Sequence, residues 1–219
     1  MPKINVYLPD ELADSVKDMN IPVSAICQRA LEGSVKRIAA IRALTVQDLE
    51  RDNFSQVTDR AWKALRIAAE VSHGTGLGTA HLLAGIVAEG GNLALDVLRA
   101  LDVDPGKLPS FAPSDGGRQF ADDGAAALEL AVVEAIALGH NYVGCEHLLL
   151  GVVAEPNGAG GETLRELGVE IKGARRAVQT ALAGIIHLQK QQEAAPDAAK
   201  VLEMIMTRLA RLEQHAGIG

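Results

Sequence analysis

One spacing constrains this chain more than any other feature: residues recur 66 positions apart. Gly78 recurs as Gly144, His81 as His147, Leu82 and Leu83 as Leu148 and Leu149, and Gly85 as Gly151. Leu98, Leu101 and Val103 recur as Leu164, Leu167 and Val169. The same offset pairs Phe54 with Phe120, Ala61 with Ala127 and Ala69 with Ala135. The sequence is therefore read as two gapless repeats, 54–103 and 120–169. A fixed period marks supersecondary units that bury their apolar faces against one another.

Each repeat has the same internal order. A helix-period stretch, 61–71 or 125–138, ends near a glycine, which tolerates the left-handed conformation that follows a helix. Gly-Thr-Ala-His-Leu-Leu (78–83) or Gly-Cys-Glu-His-Leu-Leu (144–149) then opens a second helix, with Thr79 expected as its N-cap. A glycine-rich turn and a third amphipathic segment follow, 93–101 or 162–167. Apolar residues make up 48% of the chain and aromatics only 3%. Alanine and leucine carry that apolar content, and both favour helix, so the fold is expected to be mainly α. The proline- and glycine-bearing segment 104–119 is read as the inter-repeat loop.

The run from Leu138 to Gly151, Leu-Gly-His-Asn-Tyr-Val-Gly-Cys-Glu-His-Leu-Leu-Leu-Gly, resembles the signature of the Clp N-terminal repeat domain, as does the later Leu164-Arg-Glu-Leu-Gly-Val169. The resemblance covers about residues 51–184 and implies an eight-helix pseudo-twofold domain. In that family the domain receives substrates, adaptors and phosphoarginine-marked proteins, and in actinobacterial ClpC-like proteins it binds cyclic-peptide antibiotics. The resemblance places four ligand-binding candidates here: Phe54, Phe120, Glu129 and Glu146. Arg51 and Ala125 depart from the family's usual Phe and Lys. The phosphoarginine pocket of the family uses the glutamate of Gly-Thr-Glu-His. Repeat two keeps it as Glu146, behind Cys145 in place of threonine, while repeat one has Ala80.

Residues 3–8, Lys-Ile-Asn-Val-Tyr-Leu, alternate polar and apolar with the period of a half-buried strand. Pro9-Asp10-Glu11 suits the start of a helix, the chain breaks at Asn20-Ile21-Pro22, and a second helix is expected from an N-cap at Ser24. Strand, helix, turn, helix resembles the ribbon-helix-helix DNA-binding domain. Two copies would pair their strands, with Lys3, Asn5 and Tyr7 facing base edges and the amides near Ser24 holding a phosphate. The alternative is a dimerisation ribbon without DNA, because residues 1–45 carry a charge of only +1 within a chain of −7 and phosphate contacts supply much of DNA affinity.

The expected organisation is a ribbon-helix-helix-like domain at 1–45, a linker at 46–53, the Clp repeat domain at 54–184, and a linker with an amphipathic C-terminal helix at 185–219. That last helix either packs on the body or self-associates through Leu202, Ile205, Leu209 and Leu212. No G-x-x-x-x-G-K-[ST] stretch is present, so the ATPase modules that follow this domain in the family are expected to be missing. His81 and His147 are read as helix-start packing or capping residues, with no carboxylate or cysteine set to complete a metal site. No catalytic constellation, metal or cofactor is called for. Two distant cysteines, Cys27 and Cys145, fit a reducing, cytoplasmic setting. The expected function is a non-enzymatic decoy or sensor that captures a peptide or cyclic-peptide ligand, is homodimeric, binds DNA through its N-terminal segment and regulates its own transcription. The alternative is an adaptor or competitor of Clp protease components. No membrane partner is expected.

Overall fold

The computed structural model describes residues 5, 7–51, 56–72, 74–108 and 116–194. Ten helices lie among them: α1 (Asp10–Asp18), α2 (Val23–Arg42), α3 (Val46–Arg51), α4 (Asp59–Val71), α5 (Thr79–Glu89), α6 (Leu93–Ala100), α7 (Asp122–Ala137), α8 (Cys145–Ala154), α9 (Ala159–Glu166) and α10 (Ile171–Ala194). Two short strands, β1 (Gly74–Leu77) and β2 (Gly116–Phe120), pair in parallel. The fold is mainly α, and eight helices, α3 to α10, form the body.

The body is built twice over, but not gaplessly. The second and third helices of each half keep the 66-residue spacing: α5 and α8 begin at Thr79 and Cys145. The first helices do not. Both α4 and α7 begin at an aspartate, Asp59 and Asp122, which are 63 positions apart. Their buried faces match at that spacing: Ala61, Ala64, Leu65 and Ala68 in α4 against Gly124, Ala127, Leu128 and Ala131 in α7. The three-residue difference lies in the first helix itself, 13 residues long in α4 and 16 in α7. Ala61 with Ala127 and Ala69 with Ala135 are coincidences of composition in alanine-rich stretches, not equivalent positions. The position equivalent to Phe120 is Val57.

The close contact within each half requires glycine. A Cβ on Gly85 would lie 2.2 Å from the Ala64 carbonyl oxygen, and one on Gly151 would lie 2.2 Å from that of Ala127. These glycines let α5 and α8 seat directly on the backbones of α4 and α7, the two most extensive helix pairings.

The halves are exchanged at their edges. Val57, just before α4, bridges Val143, just before α8, and Phe120, just before α7, pairs with Leu77, just before α5. Thr58 N–H donates to Val143 O at 3.0 Å, and its counterpart Ala121 N–H donates to Leu77 O at 3.1 Å. Each first helix thus starts beside the start of the other half's second helix. This pairing was missed because Gly74–Leu77 reads as a helix-to-helix turn and 104–119 as a loop; glycine-rich strands of four and five residues have too little periodicity to detect.

The 46–53 linker is also corrected. Val46 and Leu49 belong to the core. Thr45 and Asp48 form a reciprocal cap: Thr45 N–H and Oγ donate to Asp48 Oδ2 at 3.0 and 2.7 Å, and Asp48 N–H donates to Thr45 Oγ at 3.2 Å. The signal was present as Thr-Val-Gln-Asp-Leu, a capping-box pattern with aspartate in the third position. At the other end, α10 runs through residues 189–194, where a polar linker was expected. The amphipathic tail helix falls outside the described residues. Arg175 ties α10 to α7 through a two-pronged pair with Glu134, at 2.8 and 2.6 Å. The Glu134 side chain is only 4% exposed, so Arg175→Ala strands a nearly buried carboxylate. That variant is expected to lose roughly 1–3 kcal/mol, measured by urea denaturation.

The N-terminal segment is different in kind. Helices α1 and α2 form where expected, with Asn20 in the left-handed region at φ 49° between them, yet no residue of either helix is buried. Asn5, Tyr7 and Leu8 take no regular structure, and Lys3 lies outside the described residues, so the described residues do not display the ribbon. The first residue of α2 is Val23 and its N-cap is Pro22. Ser24 is the second helical residue and makes no cap, because proline already supplies the helical start. The C-terminal half of α2 docks on the body through Ile38 and Ile41, and through an Arg37–Glu129 pair at 2.6 Å and an Arg42–Asp122 pair at 2.8 Å.

Candidate functional site

The exchange of edges creates two pseudo-equivalent junctions where helix N-termini converge. At the first, the starts of α4, α6 and α8 face one another around a cleft of about 510 Å³, lined by Thr58, Asp59, Arg60, Gly91, Asn92, Leu93, Asp96, Cys145 and Glu146. Thr58 caps α4 by accepting from Ala61 N–H at 3.3 Å. Asn92 holds the α5–α6 turn: its Nδ2 donates to Ile86 O at 2.7 Å and to Glu89 Oε2 at 2.9 Å. Its Oδ1 is buried and has no hydrogen-bond partner among the described residues. Arg60 is drawn aside to Glu89 Oε1 at 3.1 Å, which also receives Lys63 at 3.4 Å. Burial pushes the Glu89 carboxyl up, but hydrogen bonds from Asn92, Gly91 and Lys63 and the charge of Arg60 outweigh it and hold the group below the ordinary range.

Glu146 supplies the cleft's buried carboxylate; the residue is 5% exposed. Burial raises its proton affinity, opposed by its own backbone N–H, a hydrogen bond from Tyr142 and the charge of His140. Burial likewise raises the Tyr142 hydroxyl, helped by the charge of Glu146 and its hydrogen bond to that residue. The neighbouring Cys145 thiol is pushed up to about 12 by burial and by the charges of Glu146 and Glu89. It is an inert packing group rather than a nucleophile.

Behind Glu146, His147 is fully buried. Gly144 N–H donates to His147 Nδ1 at 3.0 Å, so its proton sits on Nε2, which faces His140 Nδ1 at 2.8 Å. His81 repeats the first of these contacts, accepting from Gly78 N–H at 3.1 Å. The helix-start role read from sequence is what both histidines perform. No group of three or more His, Cys, Asp and Glu side chains is arranged for a metal among the described residues.

The second junction is built differently. Asp123 takes the place of Arg60, Thr79 that of Cys145, Ala80 that of Glu146 and Gly158 that of Asn92. Thr79 is the first helical residue of α5 and Gly78 its N-cap. Thr79 N–H and Oγ both donate to Asp123 Oδ2, at 2.8 and 2.9 Å, and Gly160 N–H donates to Thr79 Oγ at 3.1 Å.

Of the three ligand-binding candidates among the described residues, only Glu146 lines the cleft. Phe120 is 4% exposed and packed in the core, which leaves its ring no face for a ligand. Glu129 lies on α7, engaged by Arg37 beside an apolar recess of about 110 Å³ lined by residues such as Ile41, Trp62 and Leu128. Phe54 lies outside the described residues. Sequence reasoning missed Asn92, Arg60 and Asp123. Asn92 alone carried a signal, as a cap-type residue before an amphipathic run.

The model of the Clp repeat (R) N-terminal domain family matches residues 119–218. Over 136 residues, 57% of this chain, it is 36% identical to the negative regulator of genetic competence ClpC/MecB of Bacillus subtilis, covering 17% of that protein. Chaperone protein ClpB of Oceanobacillus iheyensis is 34% identical over 136 residues, with the same two coverages of 57% and 17%. The chain thus spans about a sixth of the length of these relatives. Among solved structures, the N-terminal domain of ClpD from Arabidopsis thaliana aligns with 59% of this chain and 96% of that one, at 21% identity and a TM-score of 0.43. The Hsp104 N-terminal domain from Candida albicans aligns with 56% and 88%, at 18% identity and a TM-score of 0.44. Residues 119–218, which include the second half of the body, thus resemble the Clp repeat N-terminal domain. Over that part the chain is a partial relative of ClpC, and its sequence contains no P-loop.

Proposed function

We propose that this chain is a non-enzymatic receptor module that captures a cationic side chain of a peptide-like ligand in the cleft between α4, α6 and α8. The observation that carries this reading is the acidic lining of the cleft, where Asp59, Asp96 and Glu146 come together. Asp59, Asp96 and Glu146 line the cleft beside Arg60, which is held by Glu89, while Asp96 is paired with Arg99 at 2.8 Å. A guanidinium offers several donors in a fixed fork and suits such a lining. The acidic balance disfavours a phosphoryl group, so unmodified arginine or lysine fits better than phosphoarginine.

Glu146→Gln is expected to weaken an arginine-bearing peptide about tenfold or more, since a charge-assisted hydrogen bond contributes roughly 1.5–3 kcal/mol. Isothermal titration calorimetry reads this directly. A cation selects the ionised carboxylate, and burial raises the proton affinity of Glu146. Binding should therefore fall on acidification, beginning above the ordinary glutamate range, and Glu146→Gln should flatten that dependence. Equal affinities for both proteins at neutral pH would reject the site.

Such a receptor serves as a decoy or sensor for substrate peptides, adaptor peptides or cyclic peptides. The N-terminal segment supports a second copy as partner: Tyr7, Leu8, Leu12, Met19, Val23, Ile26, Leu31 and Val35 are all large, apolar and exposed. A strand-first segment with no core of its own gains one by pairing, and paired ribbons would present Lys3, Asn5 and Tyr7 to DNA. Autoregulation follows if ligand and DNA prefer different states of the chain. A gel shift with the chain's own upstream region, lost in Lys3→Ala/Asn5→Ala, supports the DNA role; no salt-sensitive shift with the intact protein rejects it. Capture of Clp chaperone or protease subunits without any DNA shift would favour the adaptor role instead.

A further inference from the structure

We propose that Asp123 closes the second junction from within, so that this two-repeat chain is a one-site receptor. The inference rests on the cation-capture reading of the first cleft and concerns why its counterpart is shut. Across the pseudo-twofold axis, the carboxylate that Glu146 provides at the start of α8 has no counterpart at Ala80. Asp123 brings one in from the other half. It stands where Arg60 stands in the first junction, but it turns inward, and Thr79 N–H and Oγ saturate one of its oxygens.

Glycines make this closure possible. A Cβ on Gly78 would lie 2.9 Å from Asp123 Oδ1, and one on Gly158 would lie 2.7 Å from Asp123 Oδ2 and 2.1 Å from Thr79 Oγ. The α9 start therefore settles directly on Thr79, with Gly160 N–H bonded to its hydroxyl at 3.1 Å. In the first junction the residue equivalent to Gly158 is Asn92, whose amide is bonded to Ile86 O and Glu89 in α5, and the cleft beside it is open.

The test counts equivalents of N-acetyl-arginine amide bound by calorimetry, with amide shifts of Thr79 and Gly158 as the local readout. Wild type is expected to bind one equivalent, with no response at Thr79 or Gly158. Ala80→Glu/Asp123→Arg, which copies the Glu146 and Arg60 pattern, is expected to bind two and to move both amides. Ala80→Glu alone keeps Asp123 and should remain at one, which serves if the double variant does not fold by circular dichroism. Two equivalents in wild type or in Ala80→Glu would overturn the role of Asp123, as would a folded double variant that gains none. No binding by wild type defeats the cation-capture reading instead. In that case a double variant that binds one equivalent still supports closure by Asp123, and one that binds none overturns it.

Discussion

Gly124→Ala is expected to destabilise the body by about 3 kcal/mol or more, the upper part of the range for overpacking. The methyl group would lie 1.8 Å from the Leu77 carbonyl oxygen and 2.9 Å from its carbon. That carbonyl accepts from Ala121 N–H at 3.1 Å, so it cannot withdraw without breaking the junction between the halves. No flexible side chain lies in between to absorb the strain. For a protein of this size the loss corresponds to a fall of roughly 6–12 °C in melting temperature. Gly184→Ala provides the contrast. A Cβ there meets nothing within 4 Å, and an alanine in the helix α10 should stabilise by about 0.5–1 kcal/mol. Thermal denaturation of both variants checks the pair, and a Gly124→Ala melting temperature equal to wild type would contradict the described seat of α7.

Acid should destabilise the chain through His147. Burial, and the nearby His140, lower its pKa from 6.5 to about 4. The unfolded chain takes up a proton at this position as pH falls through 6.5, whereas the folded chain does so only near 4. Between those values the unfolded state binds more protons, so stability falls with falling pH. The loss reaches at most about 3 kcal/mol, at roughly 1.4 kcal/mol per unit, and levels off below the folded value. Its structural origin is the contact in which Nδ1 must accept from Gly144 N–H, an arrangement open only to the neutral ring. His147→Gln preserves an acceptor at the position that reaches back to the helix start and removes the titration. Urea midpoints between pH 7 and 4 should therefore slope for wild type and flatten for His147→Gln; parallel slopes would place the acid sensitivity elsewhere.

The repeat was legible because its strongest matches, Gly78 with Gly144, His81 with His147 and Gly85 with Gly151, fall in the second helices, where close backbone packing and a back-bonded histidine leave few alternatives. The 63-residue spacing of the first helices was hidden: alanine-rich stretches match themselves at many offsets, and only the buried face of α4 laid against that of α7 selects the correct one. The cleft was less legible still. Glu146 stood out by chemistry, but Arg60, Asn92 and Asp123 acquire meaning only once the edges of the halves are exchanged, and no local pattern announces that exchange. The dual character of α2, without a fully buried residue yet anchored by Arg37 and Arg42, was equally invisible, because each of those arginines meets a carboxylate about 80 or more residues away.

The most direct measurement is amide shift mapping of the labelled chain titrated with an arginine-bearing peptide. Saturable shifts centred on Arg60, Asn92, Cys145 and Glu146, and abolished in Glu146→Gln, are the expected result. Shifts confined to α7 around Glu129, or no saturable shift at all, would contradict a cation-capturing cleft between the two halves.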